Sequence, residues 1–164
     1  VVAQNVGFYI IAVAMVVGAL RVVTARNVVH AALWLVLVLA GVAAQYILLA
    51  AEFVAVTQVL VYIGAVMVLI LFGTMLTRSR VGRQSDLDNS YWLLGVPVAG
   101  VLLAAMVLAL TDSFGSERLP TDAEPISTQA VSDLIFGPYL LPFWGLSFVL
   151  LAAVIGAIVL ARKD

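Results

Sequence analysis

Glu52, Gln58 and Tyr62 stand within one largely apolar run, where an acid is a functional candidate and an amide and a phenol can hydrogen-bond. The carboxylate of Glu52 can bind and release a proton. The amide of Gln58 and the phenol of Tyr62 can order water or bond to a neighbouring helix, and a spacing of four residues puts them on one face of an α-helix. Just beyond, Gly64 and Ala65 leave a thin place where another backbone can approach, and Gly73 adds a second. Glycine also weakens helical geometry, so residues 62–64 are a site for a kink or a π-bulge, a wide turn often found where helices do work. Plainer uses compete with each of these. Polar groups in helical bundles serve mainly to join helices. An acid at a helix start is favoured by the helix dipole and can sit among the headgroups. Glu52 therefore stands between an interfacial role and a buried, functional one, since a carboxylate deep in a membrane costs about 3 kcal/mol.

The rest of the polar inventory is short. His30, beside Asn27, has no acidic neighbour in sequence and reads as an interfacial or helix-capping group. Trp34, Tyr91 and Trp92 read as interface anchors, and Pro97 as a tolerated kink. There is no cysteine, which removes disulfides, thiolate metal sites and thiol nucleophiles. With one histidine the chain also lacks a cluster suited to metal or haem, and no phosphate-binding loop, nucleophile elbow or nucleic-acid surface is evident.

These residues need elements to hold them, and the composition says which. The 164 residues are 65% hydrophobic and 10% charged, with a mean hydropathy of +1.19. Soluble domains are about 45–50% apolar and about 25% charged. The chain reads as an all-α integral membrane protein with a single membrane domain over residues 1–164. Five segments are long and apolar enough to be transmembrane helices: about 1–20, 28–50, 53–77, 91–111 and 142–161. Strand alternation is absent, which argues against a barrel. The first segment lacks a basic leader and a small-residue cleavage site, so a span is expected there in place of a secretory signal.

Charge orients the spans. Arg21 and Arg26 follow the first, Arg78, Arg80 and Arg83 follow the third, and Arg162 and Lys163 follow the fifth. Basic connections face the cytoplasm, so the N-terminus is expected outside and the C-terminus cytoplasmic. The acidic outer loop, 112–141, carries Ile126, Ala130, Val131, Leu134 and Ile135 at helical spacing, which suggests a short amphipathic helix at the interface or against a partner.

The run EFVAVTQVLVYIGAVMVLILFGTM (52–75) closely resembles the third helix of the J subunit, or chain 6, of NADH:quinone oxidoreductase, respiratory complex I. ARNVVHAALWLVLVLAG (25–41) is similar to that family's second helix, and YLLPFWGLSFVLLAAVIGAIVLARKD (139–164) to its last. The resemblance implies a membrane-arm subunit between the quinone-binding heel subunit and the small and antiporter-like subunits. It implies no cofactor in this chain: flavin, iron–sulfur clusters and quinone would belong to other subunits. It also implies a helix switch, a π-bulge that forms and relaxes, on Tyr62, Gly64, Ala65 and Val66. Glu52 takes the place of the family's acid at the head of that helix, and Glu52, Gln58 and Tyr62 become the proton-path candidates. The membrane would be the bacterial plasma membrane, or the inner membrane of a mitochondrion.

One departure limits the transfer. Where the family often reads Pro-Phe-Glu before the last helix, this chain reads Pro142, Phe143, Trp144, so no role of that glutamate is carried over. Three other readings stand beside the first: the equivalent subunit of a related ferredoxin-fed complex, a small transporter, and a scaffold in which the polar residues only pack. Few polar side chains and no internal repeat weigh against the transporter.

Overall fold

The computed structural model describes residues 2–76, 92–115 and 126–162. All regular structure among them is helical. In order the elements are α1 (Val2–Thr24), α2 (Val28–Leu48), α3 (Glu52–Thr57), a π-helix (Gln58–Met67), α4 (Val68–Leu76), α5 (Trp92–Phe114), α6 (Thr128–Phe136) and α7 (Leu140–Ala161). Since α3, the π-helix and α4 run on as one rod, five helices have the length and apolarity to cross a bilayer. This is a multi-pass membrane protein. The connection bearing Arg78, Arg80 and Arg83 lies outside the described residues, as do Tyr91, Arg118 and Lys163.

The chain divides into two compact units, one of residues 1–77 with 125–164 and one of residues 78–124. In the first, α2 packs against α1 and against the third span. Short connections make such neighbours antiparallel. The α1–α2 turn is set by Asn27, whose extended backbone and side-chain oxygen cap α2 by accepting from the Val29 amide at 2.9 Å. The α2 end is closed by a Schellman arrangement: Ala50 N–H donates to Ile47 O at 3.0 Å and Ala51 N–H to Tyr46 O at 2.9 Å. It requires φ of +56° at Ala50, a left-handed conformation normally given to glycine.

Small residues let α1 and α2 close up. A Cβ added to Gly18 would lie 2.9 Å from Val38 Cγ2, and one added to Gly41 would overlap Met15. Gln45 Nε2 also donates across the pair to Phe8 O at 3.5 Å, a long bond. At Gly64 and Gly73 the described residues leave room for a side chain. A Cβ on Gly64 would reach only Val59 O of its own helix at 3.5 Å, and one on Gly73 would meet nothing within 4 Å.

Several helix ends differ from the expected ones, for local reasons. α1 runs to Thr24 and so takes Arg21 into its last turn, where a cation suits the dipole and the Thr24 hydroxyl donates to Leu20 O at 2.7 Å. α2 stops at Leu48, because Ala50 leaves right-handed helical space. α5 includes Asp112, two residues short of its end, and the Thr111 hydroxyl donates back to Val107 O at 2.9 Å. α7 begins at Leu140, two residues before Pro142, since a first-turn proline gives up no helical hydrogen bond.

α5 forms the regular structure of the second unit, with Pro97 inside it and its described side chains exposed. α6 is capped by Ser127, whose hydroxyl accepts from Ala130 N–H at 3.2 Å. It meets α7 through an edge-to-face contact of Phe136 with Phe143, centroids 5.3 Å apart. Trp144, next along α7, is exposed.

Candidate functional site

The third span is built in three parts. Glu52 opens α3 directly after the strained Ala50 turn, in the first turn where the helix dipole favours an acid. No side chain caps this end. The Glu52 carboxylate is exposed and has no hydrogen bond or ion pair among the described residues. It edges an open groove of about 470 Å³ whose other walls, Ile47, Ala55, Val56, Val59 and Leu60, are apolar.

Gln58 opens the π-helix. It is the buried polar residue among those described, 8% exposed, and its amide makes no side-chain hydrogen bond among them. Its place is set by Ala55 one turn earlier, also buried, where the span meets α2. Met67, at the far end of the π-helix, is 1% exposed and the largest fully buried side chain among the described residues.

Between these two the helical register slips. The inward line runs Ala55, Gln58, Ile63, Met67, Leu71, Thr74. Its steps are three, five, four, four and three residues, and the five-residue step falls within the π-helix. An α-helix advances 3.6 residues per turn; a π-helix, bonded from each residue to the fifth, takes more. Tyr62 is thereby displaced from the inward line, at 52% exposed, and Ile63 takes the place beside Gln58. Thus the expected shared face of Gln58 and Tyr62, which assumed α geometry, is not the arrangement found. Beyond the slip Leu69 points outward at 72% exposed.

Gly64, Ala65 and Val66 all lie in the π-helical stretch and are exposed. Neither glycine nor proline at an inner contact forces the wide turns. Thr57 and Thr74 bond back to Val54 O and Leu71 O, both at 2.9 Å, on either side of it. Glu52 and Gln58 share no hydrogen bond: the acid edges the groove, and Gln58 lies on the inward line. Gln45 was missed in the sequence. Its signal was a lone amide in an apolar span, the same one that drew attention to Gln58.

The description NADH-ubiquinone/plastoquinone oxidoreductase chain 6 belongs to a family model that matches residues 18–160, a stretch including the whole third span. The chain belongs to this family. The chain 6 relatives include NAD(P)H-quinone oxidoreductase chain 6 of Synechocystis sp., 41% identical over 98% of this chain and 82% of the relative. NADH-quinone oxidoreductase subunit J of Rhodobacter capsulatus is 37% identical over 95% and 80%. F(420)H(2) dehydrogenase subunit J of Methanosarcina mazei is 41% identical over 96% and 90%. The matches of this chain 6, or J-type, subunit take in nearly all of its own length and 80–90% of these relatives.

Proposed function

We propose that the chain is a membrane-arm subunit of a proton-pumping NADH:quinone oxidoreductase, and that its π-helical third span couples quinone reduction to proton translocation. The observation carrying this reading is the five-residue step at Gln58–Ile63, within a span matched by the chain 6 family model. A helix with one such step has an alternative close in energy, the uninterrupted α-helix. Each residue added to or removed from a turn rotates the remainder of the helix by about 100°.

With Gln58 held in place, relaxing to α geometry brings Tyr62, Ala65 and Leu69 onto the inward line, at four, seven and eleven residues on. Met67 and Ile63 then leave it. The exchange puts the Tyr62 phenol in the place of Ile63 beside Gln58 and removes the packed Met67 thioether from the inward line, and that opens or closes a hydrated path. Glu52 delivers or receives the proton from the groove side. The chain carries no redox centre in this scheme; flavin, iron–sulfur clusters and quinone lie in other subunits. Electron transfer elsewhere biases the switch through contacts that differ between its two forms. The N-terminus lies outside and the C-terminus in the cytoplasm, with α6 at the outer interface. The host membrane is a bacterial plasma membrane.

A second reading keeps the coupling and changes the electron donor. The Methanosarcina mazei relative is named for F(420)H(2), so a related complex fed by another carrier, ferredoxin included, fits the same subunit. Assaying the purified assembly with each donor separates the two.

Ala65→Leu tests the switch. Ala65 is exposed in the π-helical form, where a leucine has room, but turns toward α2 in the α form, where it does not. The expected outcome is an assembled complex with quinone-linked turnover and proton pumping lowered at least fivefold. Full pumping in an intact assembly would leave only the packing role for this helix.

A further inference from the structure

We infer that the turn between α1 and α2 is a binding site for the phosphate of an anionic phospholipid. A cavity of about 330 Å³ opens there, lined by Arg21, Thr24, Arg26, Asn27, His30 and Trp34. Two guanidiniums share it, and no carboxylate lines it. Neither arginine has an ion pair or hydrogen bond among the described residues, so both forks are available to a ligand. A guanidinium matches phosphate by paired N–H donors.

The other walls suit the same ligand. Arg21 belongs to the last turn of α1 and lines the cavity, and a long stem of this kind can cover apolar span while its charged head stays at the turn. Asn27 spends its oxygen on the Val29 amide, which leaves its NH₂ as a further donor. Thr24 commits its hydroxyl proton to Leu20 O and presents lone pairs only, so the phosphate is held by the arginines and the amide. Trp34, one turn below His30 and partly buried, gives the cavity an apolar floor on the side of the spans. A donor-lined pocket with an aromatic floor, between two membrane helices, is laid out for a headgroup above and an acyl chain below. Basic pockets between spans bind such lipids. Lipid binding here requires only that α1 and α2 cross the bilayer, and it is independent of the coupling scheme.

The test is native mass spectrometry on the full chain, purified through a tag with whatever assembles around it. It is titrated with phosphatidylglycerol, with phosphatidylcholine and with inorganic phosphate. Phosphatidylglycerol should bind at least tenfold more tightly than phosphatidylcholine. Arg21→Gln and Arg26→Gln should each weaken it by on the order of tenfold, as expected for losing a charge-assisted bond. Arg78→Gln, on a different connection, should leave it unchanged. Equal affinity for the two lipids overturns the inference, and so does full retention of phosphatidylglycerol by both variants. That first comparison needs only the wild-type chain, so it decides the matter even when a variant fails to assemble. Inorganic phosphate binding as tightly as the lipid, with the same arginine dependence, assigns the pocket to a free anion and overturns the lipid reading.

Discussion

Gln58 is where packing and chemistry compete for one side chain. Gln58 is buried as a residue, yet its amide makes no hydrogen bond among the described residues and none of its polar atoms is fully enclosed, so an apolar side chain of similar size is close to neutral for stability there. If the amide served packing alone, Gln58→Leu would leave assembly and turnover unchanged. Here the expected outcome is retained assembly with turnover reduced about tenfold, read as quinone-dependent oxidation of the donor by purified complex. Glu52 calls for a different substitution, because its carboxylate is exposed and contributes little to the fold. Glu52→Gln keeps its shape and removes the proton. The proton-path role predicts that pumping falls by at least half while the assembled amount stays constant. Coupling unchanged in that variant would identify Glu52 as a helix-start acid only.

At the scale of elements, the connection before α3 holds strain that can be measured. Ala50 adopts φ of +56°, where a Cβ costs about 1 kcal/mol, yet the Schellman bonds at 3.0 and 2.9 Å require that conformation. Ala50→Gly relieves it. A stabilisation of about 0.5–1 kcal/mol is expected, seen as a higher unfolding temperature of the purified assembly, with activity unchanged. A lower temperature would mean that the turn is held in place by contacts outside this chain. The π-helix shows the opposite design: no glycine meets a neighbour there, and no proline interrupts it. Its register is set by Gln58 and Met67 against α2, nine residues apart and both buried.

For the whole molecule the telling feature is how little is covered. Ala32, Ala43, Ala55 and Met67 are the buried apolar residues among those described, while the described side chains of α5 lie exposed and those of α7 nearly all so. Lipid can cover apolar faces, but helices in membranes associate through close packing and polar bonds, and α5 shows neither in its own unit. A J-type subunit with two such helices is expected to depend on its neighbours. A C-terminally tagged chain should elute in detergent with a large assembly, and the chain produced alone should aggregate or be degraded. A stable, monodisperse isolated chain would instead favour the transporter reading.

The amino-acid sequence alone determined the number of spans, the helical class and the family, because burial in lipid demands about 20 apolar residues per helix and leaves that mark in composition. Glu52, Gln58 and Tyr62 were legible for the converse reason: a polar residue in an apolar run is conspicuous. Only the tertiary structure decided which way each one faces. Facing depends on register, and the five-residue step at Gln58–Ile63 comes from how the span seats on α2, which no local spacing records. It also showed that the close glycine contacts from one helix to another, among the described residues, are at Gly18 and Gly41, since a small residue admits a neighbour only where the fold supplies one.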